Sequence, residues 1–295
     1  TKNNGVRRQG IIINNNTVFS PIIYVDELIE QGFDAEDIAI KVLERYKEAK
    51  ENEVPMDVQE LSDFEELKKR ICYRLINMKA NEKLLSGIPY DQINEDLALI
   101  YFLNLGDCAS ITITDNLLKS WNVDADALFD IAKKNTPELC PPEIKSLTDV
   151  IIDLMGDEFE SMKIQLGKTD LPDEEFRTFL KTDVIGDQIP LFVLSTNRSY
   201  GATALIYEDM MKIIQERFGD VYVIPSSVHE ILFASAETLR ENGLHVSDLK
   251  NIVVQVNESV VSPEDWLSDN VYLINEHGLF MAEDNHEVTL DTDER

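Results

Sequence analysis

Cysteine is scarce in this 295-residue sequence, and the three cysteines are widely spaced. Cys72, Cys108 and Cys140 form no CxxC pair, the spacing that is typical of zinc sites and of thiol–disulfide enzymes. Long apolar runs are missing too, so the sequence predicts no transmembrane helix, and we expect no secretory leader at its start. We therefore expect reduced, buried thiols in a soluble protein of the cytoplasm.

Basic residues are few relative to acidic ones. Lys and Arg number 27 against 56 Asp and Glu, which gives a formal net charge of −29. Such a charge repels phosphate backbones and anionic lipids, so we expect neither direct nucleic-acid binding nor membrane binding. The charge is either an acidic coat that maintains solubility or a surface for a protein partner, including a basic one. A surface that imitates DNA is a further alternative.

Signatures of cofactor and metal binding are also missing. The segments NLGDC (residues 104–108) and STNRSYG (residues 195–201) hold one glycine each, fewer than a phosphate-binding loop needs. The carboxylates of DLPDEEF (residues 170–176) lack the spacing and the glycine of an EF-hand loop. We expect Arg7, Arg8 and Arg198 to form local ion pairs rather than an anion site. The sequence predicts no cofactor and no metal.

One polar cluster stands between two apolar runs, in VYVIPSSVHEIL (residues 221–232). Pro225 cannot donate a ladder hydrogen bond, and a Pro-Ser-Ser run favours a turn. We therefore favour a β-hairpin in which Ser226 and Ser227 satisfy the amides of the turn. The structural alternative is a capping box of Ser227 and Glu230 that opens a helix.

The functional alternative for the same cluster is a hydrolase site. Ser227 would be the nucleophile and His229 its base, with the Tyr200–Gly201 turn beside them. Residues two apart on a strand share a face, so both side chains could point into one pocket. The acid of a triad would then come from elsewhere, such as Asp107 or Asp209. No Gly-x-Ser-x-Gly elbow supports this alternative, and we assign no catalytic residue.

Two stretches share one layout, Tyr101–Trp121 and Phe192–Ile214. Each has an apolar strand, a polar turn with one glycine, a second strand and an amphipathic helix. This pattern predicts an α+β fold of two similar strand–turn–strand–helix modules, with mainly antiparallel sheets and flanking helices. The N-terminal module would span residues 1–155 and the C-terminal module 188–280.

Two acidic segments lie outside these modules. Residues 156–187 are poorly periodic, and we interpret them as a linker or surface excursion. Residues 281–295 lack apolar periodicity and are expected to be an acidic tail.

Several stretches resemble DUF5688, a bacterial cytoplasmic family of unknown function. They are KNNGV, SPIIYVDELIEQG, LINMKANEKLLSGIPY, LLKSWNVDADALFDIAKKNTPELCPPEIKSL and VIPSSVHEILF. The resemblance implies a further N-terminal segment in family members, and it assigns no catalytic residues. From the residues themselves we expect a non-enzymatic protein-interaction or regulatory module. A hydrolase and a DNA mimic remain the alternatives, and the oligomeric state stays open.

Overall fold

The computed structural model describes residues 2–13, 20–51, 58–106, 110–156, 158–185, 191–197 and 199–283. The strands are β1 Gly10–Ile12, β2 Ile22–Tyr24, β3 Ile71–Asn77, β4 Tyr90–Gln92, β5 Leu97–Asn104, β6 Ser110–Thr112, β7 Pro142–Ser146, β8 Phe192–Thr196, β9 Val221–Ile224, β10 Ile231–Ser235, β11 Tyr272–Asn275 and β12 Gly278–Met281. The α-helices are α1 Asp26–Glu30, α2 Ala35–Glu51, α3 Val58–Ser62, α4 Phe64–Leu67, α5 Glu82–Leu85, α6 Asp115–Trp121, α7 Asp126–Leu139, α8 Leu147–Leu154, α9 Glu158–Gln165, α10 Asp173–Phe179, α11 Met210–Phe218, α12 Ala236–Glu241 and α13 Val246–Ser259. Short 3-10 helices cover Asn3–Gly5, Lys68–Arg70 and Gly201–Ile206, and a π-helix covers Leu180–Ile185. No helix in these ranges is long and apolar enough to cross a membrane.

The fold is α+β, as the sequence predicts. Its strands form a two-stranded sheet β1-β2, a sheet of β3, β5, β4 and β6, and a six-stranded sheet in the order β12-β11-β9-β10-β8-β7. Neighbouring strands in all three sheets are antiparallel. The predicted class and strand orientation are therefore confirmed.

The chain divides into two compact units. Unit 1 comprises Thr1–Pro141 and Ser262–Leu267, and unit 2 comprises Pro142–Val261 and Ser268–Arg295. This division lies earlier than the expected boundary at residue 155, because the residues directly after Pro141 form β7 and pair with β8. This strand is short and begins with a proline, so the sequence pattern did not predict it.

Unit 1 contains the four-stranded sheet, in which β5 is the central strand. β3 pairs with one edge of β5, while β4 and β6 lie end to end along the other edge. Helix α7 closes the outer edge of β3: the Tyr73 amide donates to Thr136 Oγ1 (3.1 Å), and Asn135 Nδ2 donates to the Ile71 carbonyl (2.9 Å). This edge of the sheet therefore has no row of open amides at these positions.

Strands β1 and β2 of unit 1 pair as an antiparallel ribbon, and Asn14–Asn16 between them lie outside the described residues. Ile23 on β2 packs against Val42 of α2. Helix α2 begins directly after Asp34, whose Oδ1 accepts hydrogen bonds from the amides of residues 36 and 37 (2.9 and 3.0 Å). The β1–β2 pair therefore packs against helix α2.

Two buried and two partly buried asparagines join three segments of unit 1, and we call Asn3, Asn4, Asn77 and Asn81 the amide cluster. The Asn81 side-chain nitrogen lies 2.8–2.9 Å from side-chain oxygens of Asn3 and Asn4 and from the Asn77 carbonyl. The side chains of Asn4 and Asn77 donate to carbonyls of Ser262–Leu267. The cluster therefore binds a segment far away in sequence through amide-to-carbonyl hydrogen bonds.

Unit 2 contains the six-stranded sheet, which has apolar side chains on both faces. On one face Ile224 and Ala234 pack with Leu239 of α12 and Val253 of α13. Side chains alternate between faces along a strand, and Phe233 on the other face contacts Phe218 of α11 with ring centroids 5.2 Å apart. The strands of this sheet are thus packed between helices.

Residues 156–187, expected to be an irregular linker or excursion, are largely helical where the structure describes them. Helices α9, α10 and the π-helix pack with α8 around Ile152, Phe176 and Leu180, which are almost fully buried. The periodicity is weak because α9 buries Lys163, which pairs with Asp173. The segment is therefore better described as a small helical layer of unit 2 than as a linker.

Ion pairs link this helical layer to β7 through Asp153. Its carboxylate accepts from Arg177 (2.8 Å) and from Lys145 (3.1 Å). These two hydrogen bonds hold the pKa of Asp153 below its ordinary value. A group whose pKa is lowered on folding contributes stability above its unfolded pKa and loses that contribution as the pH falls through its folded pKa.

We therefore expect Asp153→Asn to lower the unfolding temperature at pH 7, and the difference from the parent to shrink below about pH 4. Thermal melts at pH 7 and pH 3 measure this. Asp170→Asn, at an exposed carboxylate of the same layer, is the control. A difference that persists unchanged at pH 3 would show that Asp153 acts through packing and not through its charge.

The expected internal repeat is wrong. The first stretch has its two strands, β5 and β6, followed by α6, and the turn residues 107–109 lie outside the described residues. In the second stretch, a 3-10 helix at Gly201–Ile206 takes the place of the second strand. Five consecutive residues of this 3-10 helix are buried, and their small side chains allow a tight helical turn to pack where a strand was expected.

Candidate functional site

The connection between β9 and β10 is the sequence's candidate site, and it is a hairpin connection. The two strands pair with Leu232 opposite Ile224. Ser227 Oγ accepts a hydrogen bond from the His229 amide (3.0 Å), the local side-chain-to-backbone pattern that stabilises turns. The hairpin and the role of Ser227 are therefore confirmed, while the role of Ser226 in the turn stays a prediction. The capping-box alternative is wrong, because a strand and not a helix follows at Ile231.

The Tyr200–Gly201 turn packs against this connection, as the hydrolase alternative requires. The Tyr200 amide donates to His229 Nδ1 (3.4 Å), and the two rings lie 5.9 Å apart. The next amide, of Ala202, donates to the Val228 carbonyl (3.1 Å). A Cβ atom on Gly201 would lie only 2.3 Å from the His229 carbonyl oxygen. The fold therefore brings the Tyr200–Gly201 turn next to His229, as the sequence analysis predicted.

The polarity of the His229 contact differs from that of a Ser-His-Asp triad. In a triad the histidine donates from Nδ1 to the acid and accepts the serine proton at Nε2. Here His229 Nδ1 accepts from a backbone amide, which leaves the proton of a neutral ring on Nε2. Ser227 is 5% exposed and its oxygen accepts from another amide. Both side chains therefore serve the backbone in this arrangement.

Of the two acids suggested for a triad, Asp209 lies among the described residues. Asp209 is exposed at the start of α11, where its own backbone adopts a left-handed conformation with φ 60°. Asp107 lies outside the described residues. The structure therefore offers no arrangement that identifies either carboxylate as the partner of His229.

We expect Ser227→Ala to lower the free energy of unfolding by about 1 kcal/mol, the net contribution of one hydrogen bond. His229→Ala should cost as much or more, because its ring also packs on Tyr200. Chemical denaturation of both variants measures the loss. Ser110→Ala, at an exposed serine of β6, is the control and should match the parent. Unaltered stability in both variants would contradict a structural role.

A small charged cavity of about 120 Å³ lies beside β2 in unit 1. Its lining residues carry three basic and three acidic side chains around one aromatic ring: Lys2, Arg8, Tyr24, Asp26, Glu27, Arg45 and Glu264. Arg8 pairs with Glu264 (2.9 Å), and that hydrogen bond and charge raise the pKa of Arg8. Arg8 therefore forms an ion pair, as expected, although its partner is distant in the sequence and not local.

No pattern in the sequence predicted this cavity. Arg8 and Glu264 are 256 residues apart, and Lys2 lies over the Tyr24 ring (4.1 Å) without any local motif. Its volume is well below the roughly 300 Å³ of ordinary small-molecule pockets. Because its charges are already matched, the cavity is better suited to holding the N-terminal segment than to binding a ligand.

Two of the three cysteines lie among the described residues. Cys72 and Cys140 are buried thiols that are not part of a disulfide, whereas Cys108 and Arg198 lie outside the described residues. His245 forms a capping box with Asp248 at the start of α13. In the part of the chain that the structure describes, no group of three or more His, Cys, Asp or Glu side chains could hold a metal ion.

Comparisons with known proteins identify a family for the chain. A family model described as "Family of unknown function (DUF5688)" matches residues 1–275. No curated protein and no solved structure matches the chain.

Proposed function

This chain belongs to the DUF5688 family, and we propose that it acts by binding a protein partner with a basic surface. It would be a non-enzymatic interaction or regulatory module. The observation that carries the proposal is where the negative charge lies. Asp96 is the one buried carboxylate among the described residues, so every other described carboxylate there is at least partly exposed to solvent.

The charge excess is larger in unit 2. Residues 142–261 and 268–295 contain 29 Asp and Glu against 11 Lys and Arg, a net charge of −18. Three of the few basic residues there, Lys145, Lys163 and Arg177, already form ion pairs. An acidic surface of this kind accelerates association with a basic partner and repels acidic competitors.

The geometry of the hairpin connection supports a non-enzymatic role over a hydrolase. Ser227 and His229 each accept a hydrogen bond from a backbone amide. We further propose a cytoplasmic location, which is supported by the buried thiols of Cys72 and Cys140 that are not part of a disulfide. A DNA mimic is the special case in which the basic partner is a nucleic-acid-binding protein.

The test is to recover partners from a cell extract at low salt and to reconstitute the complex from purified components. We expect a stoichiometric complex whose dissociation constant rises at least about tenfold between 50 mM and 500 mM salt, because salt screens exposed charges. Added duplex DNA displaces the partner only in the special case of a DNA mimic. A complex that is insensitive to salt would contradict the proposal.

A further inference from the structure

The outer edge of β12 is an open strand edge in unit 2. β12 is the last strand of the six-stranded sheet and pairs only with β11 there. The Ala282 amide donates to the Val271 carbonyl (2.9 Å). Inward and outward hydrogen-bonding residues alternate along an antiparallel pair, so Leu279 and Met281 direct their N–H and C=O groups away from β11. Within the described residues, no backbone group pairs with them.

This edge lacks the proline and lysine residues that often protect an edge strand. Its sequence is GLFM, with no proline and no lysine, and Phe280 and Met281 are 45% and 38% exposed. The opposite edge of the same sheet, β7, begins with Pro142 and carries Lys145. Proline and charge on an edge prevent the addition of another strand. β12 is therefore the edge of this sheet that can accept one.

The charge around β12 selects the occupant. Glu276 and Glu283, which precede and follow it in the chain, are exposed, and no Lys or Arg lies between residues 251 and 283. A second copy of this chain would bring the same two glutamates and a further charge of −29, so pairing between copies is opposed by repulsion. A segment rich in Lys or Arg is attracted instead.

We infer that β12 docks an extended segment of a partner protein, in which apolar residues alternate with Lys or Arg, as a seventh strand of the sheet. Main-chain hydrogen bonds to Leu279 and Met281 supply affinity, and Glu276 and Glu283 beside the strand select a basic sequence. The inference rests on the proposed function, for which it names the contact surface and the form of the partner.

A blocked octapeptide of alternating Lys and Val is the probe, and Met281→Pro is the central variant. Proline removes the outward amide of Met281 and leaves the hydrogen bonds between β11 and β12 in place. Met281→Val keeps the amide and is the matched control. Ile12→Pro makes the same kind of change on β1, where Ile12 also points outward because the Val25 amide donates to the Gln9 carbonyl.

We expect Met281→Pro to weaken peptide binding about tenfold, as the loss of one main-chain hydrogen bond predicts. Met281→Val and Ile12→Pro should stay within about twofold of the parent. An octapeptide of alternating Lys and Pro has the same charge but cannot form a strand, and it should bind weakly. Hydrogen exchange at Leu279 and Met281 in the parent should slow when the Lys–Val peptide is added, a readout that needs no variant.

Three results would overturn the inference: equal affinity of the parent and a folded Met281→Pro, equal affinity for the two peptides, or no protection of the two amides. Each of these would leave the proposed function standing, because a basic partner could still bind elsewhere on the acidic surface. The proposed function fails separately, on the salt dependence of the reconstituted complex.

Discussion

Gly201→Ala is expected to lower the free energy of unfolding by at least about 3 kcal/mol, the upper range for overpacking a well-filled interior. The added Cβ atom would lie 2.3 Å from the His229 carbonyl oxygen and 2.7 Å from the Thr196 amide nitrogen. Both are backbone atoms of β8 or of the hairpin connection. Because both atoms belong to the backbone, the strain cannot be relieved by a side-chain rotation.

Gly87→Ala is the matched control for this substitution. Nothing lies within 4 Å of a Cβ atom at Gly87, and its φ is outside the left-handed region. The free energy of unfolding of Gly87→Ala should therefore stay within about 0.5 kcal/mol of that of the parent. Denaturant unfolding of the two variants beside the parent provides the comparison. A stable Gly201→Ala protein would mean that the turn and the hairpin connection are less closely packed than described.

Asn81→Asp is expected to have an effect of similar size. Asn81 is 2% exposed, and its side-chain nitrogen donates to surrounding oxygens of the amide cluster. An aspartate would place a buried negative charge against those oxygens. Leaving such a charge unpaired costs about 3 kcal/mol or more.

The predicted loss in Asn81→Asp depends on pH. Burial and the facing oxygens raise the folded pKa of the new carboxyl, so it disfavours folding at pH 7 and this penalty fades as the pH falls through that folded pKa. Unfolding at pH 7 and pH 4.5 measures the recovery. Asn116→Asp, at an exposed position in the first turn of α6, should match the parent at both values. A pH-independent loss would indicate damage to packing instead of a buried charge.

Local signals in the sequence were sufficient wherever one segment determines its own conformation. Pro225 and the two serines after it predicted the β9–β10 connection. The class of fold was predicted from the strand and helix patterns of Tyr101–Trp121 and Phe192–Ile214, although their interpretation as a repeat is wrong. Each of these features depends on neighbours within a few residues, which is the range that periodicity and capping patterns can show.

Features that depend on distant partners were not predictable. The amide cluster joins Asn77 to a carbonyl 190 residues away, and no spacing in the sequence marks either group. The 3-10 helix at Gly201–Ile206 consists mostly of small and β-branched residues that fit a buried strand equally well, and its first residue lies against the distant His229 carbonyl. In α9 a charged residue, Lys163, is buried beneath aromatic rings, which is the reverse of the usual apolar buried face of a helix.

The candidate site shows the same division. The sequence named Ser227, His229 and the Tyr200–Gly201 turn, and the fold brings them together. What it could not show is the direction of each hydrogen bond, which depends on where the backbone amides of Tyr200 and His229 point. That direction is what favours a structural role over a catalytic one.

The measurement that most directly tests a binding protein against an enzyme combines a hydrolase substrate panel with melts of Ser227→Ala and His229→Ala. We expect no turnover of ester, amide or phosphate substrates by the parent, and lower melting temperatures for both variants. Turnover by the parent that both variants lose while melting as the parent does would contradict the account and make Ser227 and His229 catalytic.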